Sequence, residues 1–375
     1  MHSSSGHHFA RLDHVRALAA LLVIAWHFMH GANGSPVPFG IAPSVFPLAI
    51  FSEGHTGVAL FMSLSGYLFA RLLEGRSVHY GRFLFNRALR LLPLLLLVFL
   101  IVGVMHALKG HSLPDYLNSL QQGFWKPSWP NGGWSIAVEL HFYLLLPVLL
   151  WLCAKSPWWL VAILVLALSV RALLWQTQGE VQFLAYFTIL GRIDQFLLGM
   201  LACHWRRHLS DRHAIALSIA IAFSLLYWWF AHSGGFYLRP SFPSPARLWI
   251  VLPLLEGLTF ACLIAWYDTS FHATAKPGKF SSAIDKLSRW VAKAGAYSYS
   301  VYLLHFFVVF AAAEFIDTHI MHIHNFYWAL LWSFVFYGLM LIPAHLSYRW
   351  IEVPFLKYRK PYLKQASISL TGGRA

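Results

Sequence analysis

Charged side chains are scarce in this chain. Asp, Glu, Lys and Arg make up 11% of its 375 residues, against about 25% in an ordinary soluble protein. That scarcity, with 58% hydrophobic residues and a mean hydropathy of +0.57, excludes a soluble fold. The apolar stretches never stop for long enough to enclose separate soluble modules. Cysteine is nearly absent too. Cys153, Cys203 and Cys262 are far apart and lie at or within apolar runs, which excludes a disulfide framework and a cysteine metal site. No internal repeat is visible, so an inverted-repeat transporter gains no support. The first apolar run lacks a small-x-small cleavage site, so a cleavable signal peptide is not expected. Acidic residues number only 14 against 28 basic ones, a formal charge of +14. A nucleic-acid binder can be this basic, but not this apolar.

What is present is a series of apolar runs. Candidate spans cover 17–31, 50–73, 90–108, 133–152, 157–175, 183–203, 213–231, 248–267, 295–315 and 325–347, most of them near the length that crosses about 30 Å of hydrocarbon. The sequence therefore predicts an all-α, polytopic transmembrane bundle of about ten spanning helices. The N-terminal segment, every second loop and the C-terminal tail carry 22 of the 28 Lys and Arg residues; the other loops carry 5, and Arg192 lies within a span. This asymmetry predicts that both termini are cytoplasmic. Three segments follow: a flexible N-terminal stretch at 1–10, the transmembrane domain at 11–355 and a basic cytoplasmic tail at 356–375. The linker Asp268–Lys293 is long and basic and is expected to hold an amphipathic surface helix.

A titratable group at bilayer depth is costly, and so points to function. Eight such groups fall in or near the spans: His27, Glu139, His141, Arg192, Asp194, Glu256, His305 and His345. Arg16 precedes His27 by 11 residues, which on a helix brings both to one face, about 16 Å apart along the axis. An anion anchor at one end of a groove and a base able to take a hydroxyl proton further along it is one reading. A histidine that only hydrogen-bonds a neighbouring helix is the other. Glu139 is expected near the depth of His27, where it would orient the imidazole or else pair with Arg192. Arg87 and Arg90 stand at i and i+3 on one face of the third span. Their guanidinium forks suit phosphates, or anionic lipid headgroups, and Arg71, Arg76 and Arg82 extend the patch. The glycines near 54–66 are expected to serve helix packing.

The ordered motifs resemble the acyltransferase family 3 of bacterial membrane proteins from Arg11 to about Phe355. They are Arg11-Leu12-Asp13-His14-Val15-Arg16 closed by His27; Phe61-Met62-Ser63-Leu64-Ser65-Gly66-Tyr67; Arg87-x-x-Arg90-x-x-Pro93; and Trp134-Ser135 through Glu139 to Phe142-Tyr143. Arg192-x-x-x-Phe196-x-x-Gly199, Tyr302-x-x-His305 and Tyr348-Arg349-x-Ile351-Glu352-x-Pro354-Phe355 complete the set. The resemblance implies an O-acyltransferase of the bacterial inner membrane. It would move an acyl group, usually acetyl, from cytoplasmic acetyl-CoA to a hydroxyl of an envelope carbohydrate or lipid-linked saccharide, such as lipopolysaccharide O-antigen.

By the same resemblance His27, Arg16 and Glu139 are catalytic, and Arg87, Arg90 and Arg16 hold the CoA donor. Asp13, Trp134, Ser135, Tyr143, Arg192 and His305 are expected to contact substrate. The reaction runs either by general-base attack or through an acyl-histidine. No permanently bound cofactor, metal or nucleic acid is expected, and neither is a fused hydrolase-like domain. Two positions depart from the family's pattern: Ala59 stands where an Asp is frequent, and His141 where a Glu or Gln is frequent. Both bear on acceptor choice. The competing function is a transporter of an acyl carrier or saccharide, because buried His, Glu and Arg also build proton relays.

Overall fold

A computed structural model describes residues 9–31, 34–74, 76–237, 241–271 and 279–363, with the side chains of 279–282 left aside. The segment 1–8 and the tail from 364 onward lie outside the described residues, so the expectations for them do too. Among the described residues there is no strand, and one isolated bridge joins Val78 to Leu363.

Among the described residues, eight helices are long and apolar enough to cross a membrane, and nine if one bent pair counts as a single span. The chain begins with α1 (Ala10–His30), α2 (Gly57–Leu73, entered through the 3-10 turn Gly54–Thr56), α3 (Tyr80–Leu108) and the short α4 (Leu113–Gln122). It continues with α5 (Trp134–Lys155), α6 (Trp158–Gln178), α7 (Gln182–Phe187) and α8 (Ile189–His204). Then come α9 (His213–His232), α10 (Leu248–Ser270) and α11 (Lys279–Ala296). The last are α12 (Ser298–Leu304), α13 (Val309–Phe315) and α14 (Phe326–Ser347). A π-turn, Tyr348–Glu352, prolongs α14 toward Leu356.

The all-helical membrane bundle is as expected, but two of the ten expected spans differ in form. The run at 183–203 breaks at Thr188, whose backbone is extended and whose hydroxyl caps α8 by accepting from the Gly191 amide. The resulting α8 has only 16 residues and is buried along nearly its whole length. It can hold Arg192 and Asp194 because both are paired: Arg171 of α6 reaches Asp194 Oδ2, and Arg192 Nη1 lies 3.1 Å from Glu256 Oε2 of α10. The other exception is the span at 295–315. It is the bent pair, broken at His305–Phe307, where the axis turns by 60°. Irregular backbone at membrane depth is tolerated where protein surrounds it, and His305 is fully buried.

Close approach of α2 and α8 sets the centre of the bundle. A Cβ on Gly66 would lie 2.0 Å from the Phe196 carbonyl oxygen, and one on Gly199 would lie 2.1 Å from that of Ser63. Only glycine permits this backbone contact, as small-residue helix packing requires. The linker expectation also holds in part. Helix α11 turns Ile284, Leu287 and Trp290 outward while His14 of α1 holds it through the Ser288 carbonyl at 2.9 Å; residues 272–278 are outside the described set.

Candidate functional site

Side chains from α1, α2, α3, α5, α8 and α12 converge on one cleft of about 790 Å³, part of it open to solvent. Arg16 enters from α1, and Arg87 and Arg90 from the start of α3. Ser135, Glu139 and Tyr143 come from α5, Ser65 from α2, and Tyr299 and Tyr302 from α12. Three guanidinium groups therefore share the lining with one carboxylate. Arg16 is tied to Asp13, one turn before it on α1. Arg87 lies over the Phe69 ring at 5.2 Å and the Phe83 ring at 5.6 Å, and its buried Nε has no hydrogen-bond partner. Among the described residues neither Arg87 nor Arg90 has an ion pair within 4.0 Å. The wider basic patch does not share this freedom: Arg71 is held by Asp268 at 3.0 Å, and Arg82 donates to the Pro361 carbonyl at 3.3 Å.

Glu139 accepts from the Tyr143 hydroxyl, one turn later on α5, and from Ser65 Oγ at 3.3 Å. The expected bond from Glu139 to His27 is not formed. A different residue orients His27. Its Nδ1 lies 2.9 Å from the Val23 carbonyl and 3.2 Å from Nε2 of His305. His305 Nδ1 in turn faces the Tyr302 carbonyl at 2.6 Å. Carbonyl oxygens only accept, so in the neutral pair each Nδ1 carries the proton. His305 Nε2 is then the acceptor for His27 Nδ1–H. This leaves His27 Nε2 as a free lone pair, with no hydrogen-bond partner among the described residues and the imidazole only half-buried. Tyr302 links the two parts of the site. Its hydroxyl lines the cleft and meets Ser135 Oγ at 2.8 Å, while its carbonyl holds His305.

His27 is itself not among the residues that line the cleft; Tyr302, which is, joins the two through its carbonyl on His305. The sequence profile of the acyltransferase domain matches residues 9–358. The chain belongs to this acyltransferase family. OatA of Listeria monocytogenes, named a peptidoglycan O-acetyltransferase, is 26% identical over 92% of this chain and 55% of its own length. A Staphylococcus aureus protein provisionally named an O-acetyltransferase is 24% identical over 94% of this chain and 59% of its own. YrhL of Bacillus subtilis, provisionally a peptidoglycan O-acetyltransferase, is 26% identical over 94% and 56%. The chain thus spans little more than half the length of these relatives. No solved structure matches it.

The acyltransferase fold gathers most of the residues singled out in the sequence, but not all of them. Arg16, Arg87, Arg90, Ser135, Glu139 and Tyr143 line one cleft. Asp13 sits beneath it on Arg16, and His305 stands behind His27. Arg192 lies apart from the cleft, bonded to Glu256 and to the Tyr186 carbonyl at 2.8 Å, with its guanidinium 4.2 Å from the Tyr186 ring. Trp134 packs on Tyr186 and Phe187 instead of facing the arginines. His141 is wedged against the Phe124 and Trp125 rings. Three features went unread. His30 faces two carbonyls, Val37 and Ser52, each at 2.9 Å. His55 meets Glu53 at 3.2 Å. Arg359 comes back from beyond the last span to stand beside the arginines of α3.

Proposed function

We propose that this acyltransferase moves an acetyl group from acetyl-CoA to a hydroxyl of a cell-envelope carbohydrate, across the bacterial cytoplasmic membrane and with both termini inside. The observation that carries the reading is a cleft lined by Arg87 and Arg90, without ion pairs among the described residues, joined through Tyr302 and His305 to the free Nε2 of His27. The phosphates of the donor dock on Arg87 and Arg90, with Arg16 beside them, by charge-assisted hydrogen bonds. The pantetheine arm runs from there toward His27, a path of about 16 Å along α1. His27 Nε2 takes the proton of the acceptor hydroxyl as its oxygen attacks the thioester carbonyl. The C–S bond breaks, the ester forms, and the imidazolium returns its proton to the departing CoA thiolate. His305 holds the His27 ring in the tautomer that exposes Nε2.

Two relatives carry peptidoglycan in their names, and peptidoglycan joins lipopolysaccharide O-antigen as a candidate acceptor. Radiolabelled acetyl-CoA supplied to purified wild type and His27→Ala, with each envelope fraction in turn, tests the reading. Label is expected on one glycan with wild type only. Full transfer by His27→Ala would remove the base from the scheme. Donor binding without CoA release in any fraction would favour transport instead.

A further inference from the structure

The described part of the C-terminal segment, after the last span, does not hang free. Asn86 of α3 grips the Lys360 backbone from both sides: its Nδ2 donates to the Lys360 carbonyl at 2.7 Å, and its Oδ1 accepts from the Lys360 amide at 2.9 Å. The His79 amide donates to the Tyr362 carbonyl at 2.8 Å, and Val78 bridges to Leu363. Tyr362 is itself buried, its ring against Phe83 at 5.7 Å. Residues 360–363 of the basic tail are thus strapped across the start of the helix that carries Arg87 and Arg90.

The strap places one guanidinium where it has no partner. Among the described residues, Arg359 Nε and Nη2 are buried without a hydrogen bond and the group has no ion pair. Burial first, then the charges of Arg90 and Arg87, bring Arg359 down to about 10. Glu352 feels both Arg90 and Arg359, but its Oε1 accepts from Ser300 at 2.5 Å and its Oε2 makes no hydrogen bond to either arginine. Holding a desolvated cation against two others is unfavourable unless an anion joins them. Arg359 also stands outside the set that lines the cleft. Its free N–H groups therefore add a further anion contact beside Arg87 and Arg90, outside the cleft lining.

We propose that Arg359 forms a second anion position, which receives a phosphate monoester of the donor while the cleft arginines hold its diphosphate. This rests on the donor reading above, because a CoA thioester carries both groups at separate points of one nucleotide. A planar fork with two unsatisfied N–H groups matches the oxygens of a terminal phosphate.

The test is binding of acetyl-CoA and of its 3′-dephospho analogue to full-length protein in detergent, for wild type, Arg359→Gln, Arg359→Lys and Lys357→Gln. Lys357 is exposed on the same tail, so its variant loses the same charge outside the site. Wild type is expected to prefer acetyl-CoA by roughly tenfold or more, the worth of a charge-assisted hydrogen bond or two. Arg359→Gln is expected to lose that preference and leave analogue binding unchanged. Lys357→Gln is expected to keep it, and Arg359→Lys to keep part of it. Equal weakening of both ligands in Arg359→Gln would reduce the residue to a general field effect and overturn the proposal. So would an Arg359→Gln protein that still prefers acetyl-CoA; should that variant not fold, an unchanged preference in Arg359→Lys decides the same way. Failure of wild type to bind either ligand would instead overturn the donor reading beneath it.

Discussion

A single proton position decides what His27 can do. Val23 and His305 both face its Nδ1, so the ring offers its other nitrogen to the acceptor. His305 acts on the reaction through His27, and removing it should affect turnover more than donor binding. His305→Phe, which keeps bulk in the buried bend but offers no acceptor, is expected to lower kcat by roughly 10- to 100-fold, a part of the roughly 10²- to 10⁴-fold that a positioned general base contributes. KM for acetyl-CoA is expected to stay within about twofold, since a lost hydrogen bond worth about 1 kcal/mol or more at the donor would show as a larger change. Steady-state kinetics on both substrates would separate these parameters; an unchanged kcat would remove His305 from the mechanism. Arg192 should behave in the opposite way. Its Nη1 is held by Glu256 and its Nε by the Tyr186 carbonyl, so Glu256→Ala leaves a buried cation unpaired. A loss of about 3–5 kcal/mol is expected, read as a lower unfolding temperature in detergent. A raised KM at unchanged stability would return Arg192 to the substrate.

At the scale of helices, the sequence shows most of the spans and much of the cleft, and the reasons are local. The spacing of Arg87 and Arg90 on one turn, and of Glu139 and Tyr143 on the next helix face, follows from the helical period alone. The structure accordingly brings these residues with Arg16 and Ser135 to one cavity. What sequence reasoning misses depends on contacts between distant segments. Glu139 is bonded to Tyr143 and Ser65, and the residue that reaches His27 comes from 278 positions away, at a helix break. Nothing in Tyr302-x-x-His305 as a string announces that break. The breaks at Thr188 and His305 likewise turn two expected spans into a short central helix and a bent one. Arg359 reads as one more tail charge until the grip of Asn86 is seen. The glycine pair is intermediate: packing was expected of Gly66, but not that Gly199 answers it. Gly66→Ala puts a methyl group against the Phe196 backbone. It is expected to cost about 1–3 kcal/mol or more, as overpacking does. Thermal unfolding in detergent would show it, and a wild-type midpoint would mean the two helices can part without loss.

Across the whole molecule, the charge asymmetry of the loops makes a claim about sides that labelling can check. Trp125 is 77% exposed beyond α4 and Tyr358 is 70% exposed on the tail strap. In a cysteine-free background, Trp125→Cys is expected to react with a membrane-impermeant thiol reagent added to intact cells. Tyr358→Cys is expected to react only after lysis. The reverse pattern would invert the topology and put the arginine cleft out of reach of a cytoplasmic donor.

The central helix has a further consequence, for how the chain comes to be made. Arg192 and Asp194 would each cost roughly 2.5–3.5 kcal/mol in the middle of a lone helix entering lipid. The partner of Asp194, Arg171, has already been synthesised when α8 emerges, but the partner of Arg192, Glu256, belongs to α10 and is not yet made. Helix α8 is therefore expected to sit less favourably in lipid until α10 is made and Glu256 closes on Arg192.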